Sequence, residues 1–169
     1  MNIDRKTLRQ IPSVSEENVC FGCSPENPYG LHMTFYTDGE ALYSWVTLPD
    51  YLCGWKNIVH GGIQATILDE TMGWAALCLT KRIPLTKETT LTFRRPVLLD
   101  RGELLVESRV VQYSGEREVI MQGKIYQDDP EPCVTAQGTF GLFTVEAIRR
   151  FNMIDEGCLA SYLRLLPQL

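Results

Sequence analysis

The stretch IVHGGIQATILDETMGWAALCLT, residues 58–80, sets one of the chain's two histidines before two adjacent glycines and puts an acidic pair inside an apolar run. Its length and its Ala, Leu, Met and Ile content predict a helix from about Gly61 to Thr80. At about 100° per residue, Ile63, Ile67, Trp74 and Cys78 fall on one side and Leu68, Met72, Ala75 and Leu79 on a second side beside it. Both sides are expected core. A lone helix this apolar cannot lie on a solvated face, so a sheet is expected to wrap around it.

Asp69 shares its stripe of the helix with Ala65, Thr66, Gly73 and Ala76, all small enough to let another backbone or a ligand approach closely. Glu70 lies about 100° further round, so the two carboxylates are expected not to share a site, and Asp69 is the candidate. From the pattern alone, a helix-surface charge and a reactive group are equally good readings of Asp69. At the helix start, Gly61 and Gly62 leave backbone N–H groups unhindered at the positive end of the dipole, where a carbonyl oxygen or an oxyanion can be held. His60 is expected to orient this turn rather than to transfer protons.

Outward from the helix the pattern changes to period two. LHMTFYTDGEALYSWVTL, residues 31–48, holds two alternating segments around Asp38-Gly39, a hairpin signal that predicts strands at about 31–37 and 41–48. PDYLCGWKN, residues 49–57, reads as a loop. After the helix come four strand-like runs, ETTLTFRRPV, GELLVESRVVQYS, REVIMQGKIYQDD and CVTAQGTFGLF, separated by turns at Asp100-Arg101-Gly102, Ser114-Gly115-Glu116 and Asp129-Pro130-Glu131-Pro132. VEAIRRFNMIDEG, residues 145–157, can form an amphipathic helix followed by a short tail. The expected class is α+β, with an antiparallel sheet of about six strands around one long central helix. Residues 1–19 read as a polar lead-in with a short helix near Asp4 to Gln10, residues 20–145 as the folded domain, and residues 146–169 as a helical extension.

The totals narrow the function. A chain of 169 residues fits one domain with a sizeable core, and a net charge of −5 leaves no broad basic field for binding a nucleic acid duplex. No apolar run is long enough to span a bilayer, and MNIDRKTLRQIP lacks a signal-peptide core, so a cytoplasmic location without membrane contact is the expectation. Six scattered cysteines are expected to be reduced. Cys20 and Cys23 form a C-x-x-C, but no second such pair or paired histidines supply the two further ligands a zinc site needs, although His32 is nearby. No metal and no cofactor are assigned. Gly-x-Ser-x-Gly, P-loop and Gly-x-Gly-x-x-Gly motifs are absent.

HGGIQATILDETMG, residues 60–73, resembles the central helix of the hotdog-fold thioesterases, the group that includes the phenylacetate-pathway and acyl-CoA thioesterases. In that group an acidic residue stands nine positions after the histidine, as Asp69 does after His60. The resemblance runs from about residue 20 to 144 and takes in the LTFRRPV segment and the opening CFGCSPENPYGLHMTF. It implies a hotdog fold and a hydrolase of acyl-CoA or a related thioester, with Asp69 as general base or nucleophile and the Gly61 N–H polarising the thioester carbonyl. The family's site lies between two subunits, so a homodimer or a dimer of dimers is implied, with the acid of one chain facing the helix start of the other.

Two positions depart from the family pattern. Where some relatives carry an Asn six residues before the histidine, this chain has Gly54, and Asn57 is the nearest substitute. Where some carry a Ser in the loop before the next strand, this chain has Thr86, which keeps a hydroxyl. The remaining expectations concern binding: Gly62 at the helix start, and Lys87, Arg94 and Arg95 as cations for the phosphates of coenzyme A. Strand alternation is expected to send Arg94 and Arg95 to opposite faces, and for each cation a solvated edge is the competing reading.

A thioester has weak resonance and a thiolate leaving group, so one carboxylate and oxyanion donors suffice without a separate general acid. Two other functions compete. One is a non-catalytic hotdog domain that binds acyl-CoA, against which Asp69 argues. The other is a hotdog hydratase or dehydratase, which needs a histidine and an acid at the reacting carbon; the second histidine, His32, falls on a predicted strand without a recognisable signature.

Overall fold

The computed structural model describes residues 3–13 and 19–169. Residues 14–18 of the N-terminal segment, and the first two, lie outside the described residues. Three residues, Arg5–Thr7, make a single 3-10 turn capped by Asp4, and strand β1 (Arg9–Gln10) follows it. Then come β2 (Phe35–Thr37), β3 (Ala41–Val46), the small strands β4 (Cys53–Trp55) and β5 (Ile58–Val59), and helix α1 (Gly61–Thr80). Strands β6 (Ile83–Phe93), β7 (Leu104–Tyr113), β8 (Glu118–Tyr126) and β9 (Val134–Phe143) lead to helices α2 (Val145–Arg150) and α3 (Glu156–Leu165).

Among the described residues seven strands form one antiparallel sheet in the order β1-β2-β3-β7-β8-β9-β6, while β4 and β5 pair separately. Helix α1 packs on the inner face against β3, β6, β7, β8 and β9, which is the hotdog architecture. The expected wrapping follows from burial: Ile67, Leu68, Met72 and Ala75 are wholly buried with Leu42, Val106, Met121, Ile125 and Phe140 of the sheet. Close approach depends on one missing side chain, since a Cβ on Gly123 of β8 would lie 2.9 Å from Leu68 Cδ2 and 3.2 Å from Met72 Cγ. Burying this interdigitated apolar surface is the main stabilising contribution to the fold.

The ends of α1 have local causes. His60 caps the start: its backbone is extended (φ −57°, ψ 134°) and its Nδ1 accepts the Gly62 N–H at 2.9 Å. Lys81 ends the helix in the left-handed region (φ 57°), its N–H bonded to the Leu77 carbonyl at 2.9 Å. In the β2–β3 hairpin Gly39 takes φ 96°, and Asp38 Oδ1 accepts the Glu40 and Ala41 N–H groups at 2.9 and 2.8 Å.

Several expectations change. The sheet has seven strands rather than about six because Arg9 and Gln10 pair with Thr37 and Tyr36. Ile11 beyond them is buried in the main core, so this part of the lead-in contributes to the domain. The first hairpin strand begins at Phe35 rather than near residue 31, because His32 sits in the left-handed region (φ 49°) and breaks the extended run. The loop 49–57 contains β4, which pairs with β5. The closing segment is two helices, not one with a tail: Asn152 turns the chain at φ 50°, and Asp155 starts α3 by accepting the Cys158 N–H at 2.9 Å. Helix α3 buries Leu159 beside Ile83 and Ile148, fastening the extension to the side of the domain. Among the described residues no helix is long and apolar enough to cross a membrane.

Candidate active site

Among the cavities that α1 lines in the described residues, two hold the candidate site residues. The first, about 560 Å³, surrounds the helix start and is lined by Gly54, His60, Gly61, Gln64, Arg94 and Arg95 among others, a volume within the range usual for ligand sites. The second, about 200 Å³, is lined by Asp69, Thr86, Cys20, Glu70, Leu85 and Tyr162 among others. Asp69 stands eight positions after Gly61, which at 1.5 Å per residue puts them about 12 Å apart along the helix axis.

At the helix start the donors are sorted by the cap. The Gly62 N–H is taken by His60 Nδ1 at 2.9 Å, so that nitrogen is the unprotonated one. The Gly61 N–H, by contrast, meets no acceptor among the described residues. One turn on, Gln64 donates from Nε2 to the Val59 carbonyl at 2.7 Å. That bond aims its side-chain oxygen the other way, where it is buried and has no partner among the described residues. Sequence reasoning passed over Gln64, although its position four residues after His60 places it on the same helix face.

In the second cavity, Thr86 Oγ1 donates to Asp69 Oδ1 at 3.0 Å. Burial pushes the Asp69 carboxyl above its ordinary range, and the Thr86 hydroxyl pulls the other way. Thr86 is not in a loop before the strand; it lies within β6, just before the irregularity between Thr86 and Glu88 that shifts the register with β9. Glu70 lines the same cavity as Asp69, contrary to the expected separation, because the cavity spans more of the helix surface than one stripe. Its Oε1 accepts Trp74 Nε1–H at 3.0 Å.

The cations divide. Arg94 and Arg95 both line the first cavity, because β6 has ended at Phe93 and both N–H groups bond the one Cys133 carbonyl, at 2.8 and 3.1 Å, so strand alternation no longer applies. Arg95 is engaged by Asp129 at 3.0 Å and by the Glu131 carbonyl, whereas the exposed Arg94 guanidinium has no ion-pair partner among the described residues. Lys87 does not join them: it pairs with Glu118 and lines a separate groove with Arg82 and Arg150. Asn57 is spent elsewhere too, since its carbonyl accepts the Leu99 N–H at 2.7 Å and its side chain does not line the first cavity. His32 Nε2 lies 2.6 Å from the Asn27 carbonyl, away from both cavities.

The model of the thioesterase superfamily matches residues 56–134, which hold α1, β6, β7 and β8. The central part of the hotdog domain is thus similar to the thioesterase superfamily. One solved structure, described as a thioesterase superfamily protein, is 25% identical with a TM-score of 0.65; the match covers 73% of this chain and 60% of that one. The chain therefore spans somewhat less than two thirds of that relative. The PaaI protein of Escherichia coli, from the phenylacetic acid degradation operon, is 15% identical at a TM-score of 0.59, over 68% of this chain and 81% of that one. A hypothetical thioesterase from Streptococcus pneumoniae, solved with coenzyme A, is 16% identical at a TM-score of 0.57, over 62% and 80%. The last two share the fold. No curated protein matches the sequence.

Proposed function

We propose that this protein hydrolyses an acyl-CoA or a related acyl thioester, at a site formed where the Asp69 cavity of one copy meets the helix start of another. The observation that carries this reading is the division of labour along α1. A carboxylate held by Thr86 and an unengaged Gly61 N–H stand about 12 Å apart on one rod, too far to act on one carbonyl, while a twofold-related copy supplies what each half lacks.

In this reading Asp69 Oδ1 stays bonded to Thr86, and Oδ2 takes a proton from a water whose oxygen attacks the thioester carbon. The Gly61 N–H of the second copy donates to the carbonyl oxygen as it gains charge, helped by the helix dipole. The C–S bond then breaks, the thiolate leaves and takes up the proton held by Asp69, and the carboxylic acid is released with the carboxylate restored. Neither Gly54, which has no side chain, nor Asn57, which does not line the cavity, is placed to hold the water. Arg94 at the cavity rim suits the phosphates of coenzyme A.

Thiol release from a panel of short, long and aromatic acyl-CoA esters tests the assignment. Turnover of at least one class is expected. Coenzyme A binding by calorimetry without thiol release from any ester would instead favour the non-catalytic binding domain.

The acid limb of the pH profile gives a second test. Asp69 must be ionised to act, and burial raises its pKa, so kcat/KM is expected to fall as pH drops through a value above the ordinary carboxylate range. Thr86→Val removes the bond that lowers the pKa and should move this limb to higher pH, whereas Thr86→Ser should restore it. A limb that stays in place in Thr86→Val separates the hydroxyl from the acid.

A further inference from the structure

The C-x-x-C turn was read from sequence as lacking partners, yet the fold brings it a third donor. Cys20 Sγ lies 3.5 Å from each oxygen of the Glu70 carboxylate, and the ligand atoms of Cys20, Cys23 and Glu70 all fall within 4.8 Å of one another. A tetrahedral zinc ion with sulfur at about 2.3 Å and carboxylate oxygen at about 2.0 Å separates those two donors by about 3.5 Å. The S···O distance in the structure is thus already that of a coordination edge.

Three features show a site arranged around these atoms. The Gly22 N–H donates to Cys20 Sγ at 3.3 Å, an amide contact that favours a thiolate. Gly22 itself must lack a side chain, since a Cβ there would fall 2.5 Å from Glu70 Cδ. The carboxylate is oriented by Trp74 Nε1–H, the outer contact a metal-binding carboxylate commonly has. Trp74 is in turn backed by Phe35, with ring centroids 5.1 Å apart, and by Tyr162 of α3 at 6.3 Å. Among the described residues no Lys, Arg or His forms an ion pair with Glu70, so this half-buried carboxylate beside two sulfurs has no cation of the protein's own.

We propose that Cys20, Cys23 and Glu70 bind one divalent transition-metal ion of the zinc class, its fourth ligand coming from the cavity that Cys20 and Glu70 line. Two thiols select a soft or borderline ion over magnesium or calcium. Bound there, the ion ties the 20–30 turn to α1 at the residue next to Asp69, and so stiffens one wall of the acid's cavity. The proposal does not depend on the thioesterase reading, and its test uses no substrate.

The test is titration of the full-length, reduced protein with Co²⁺. The expected result is a near-ultraviolet thiolate-to-cobalt charge-transfer band with visible bands of tetrahedral intensity, saturating at one ion per chain and displaced by Zn²⁺. Cys23→Ser should remove most of the charge-transfer band. Glu70→Gln, which keeps both thiols and the size of the side chain, should retain a band but weaken Co²⁺ binding at least about tenfold. Zn²⁺ should raise the melting temperature of the wild type and not that of Cys23→Ser, provided both show the same circular dichroism when metal-free. Absence of the band in folded, reduced wild-type protein overturns the proposal. So does a band unchanged by Cys23→Ser, or an affinity unchanged by Glu70→Gln.

Discussion

Asp69→Asn and Asp69→Ala are both expected to lower kcat on the preferred acyl-CoA at least about a hundredfold, the scale for loss of a general base. KM should change little, because in the proposed mechanism the carboxylate acts on water rather than holding the substrate. The stability of the same variants separates this role from a structural one. Burial raises the folded-state pKa of Asp69 above its unfolded value, so the folded protein holds the proton more tightly than the unfolded chain. Stability gained from that preference is present at low pH and is lost as pH rises through the folded pKa, which leaves the ionised carboxylate destabilising at neutral pH. Asparagine keeps an oxygen for the Thr86 hydroxyl and carries no charge. Asp69→Asn should therefore melt at or above the wild-type temperature at pH 7, with the gap shrinking as pH falls. A variant that loses activity while gaining stability has lost a functional group. One that loses both has lost a structural contact, and the assignment of Asp69 as base fails.

How far the sequence shows all this varies with the range of each interaction. Helix α1 is legible from Gly61 to Thr80 because its cap, its period and its apolar content are all local. The Asp38-Gly39 turn is legible for the same reason. What escapes is decided elsewhere in the chain. Arg9 and Gln10 become a strand only because Tyr36 and Thr37 offer an edge, and no apolar alternation announces it. VEAIRRFNMIDEG has the composition of one helix, but Asn152 turns left-handed and Ile148 and Leu159 fold onto Ile83. In the candidate site, the stripe of small residues around Asp69 is visible in the sequence, whereas its hydrogen bond from Thr86 crosses to β6. Glu70 is misread by a wheel that treats a cavity as one stripe wide; its neighbours Cys20 and Gly22 approach from a turn some fifty residues away. Arg94 and Arg95 fall on one side only because β6 stops at Phe93.

The second large effect is expected at Gly61, where a substitution can delete one backbone N–H and little else. Gly61 is the first residue of α1, the position at which proline is favoured because that N–H has no partner within the helix. His60 before it has ψ 134°, the extended conformation a following proline requires. A Cβ on Gly61 would meet Phe93 Cζ at 3.6 Å, an ordinary contact. Gly61→Pro should therefore fold with undiminished thermal stability while losing about 10²–10³-fold in kcat, the range for one oxyanion donor. Gly61→Ala keeps the N–H and should stay within a few-fold of wild type. Because the proposed site pairs Asp69 of one copy with Gly61 of the other, the two defects can be separated again. In a dimer of one Asp69→Asn chain and one Gly61→Pro chain, one site carries both lesions and the other carries neither. Random pairing makes about half the dimers mixed, so co-refolding the two inactive variants in equal amounts should restore about a quarter of wild-type activity. If each chain worked alone, every site would keep its own lesion and the mixture would stay as inactive as its components. Recovery near a quarter requires that the base and the oxyanion donor come from different copies, which a geometry about 12 Å apart on one helix demands of any site using both.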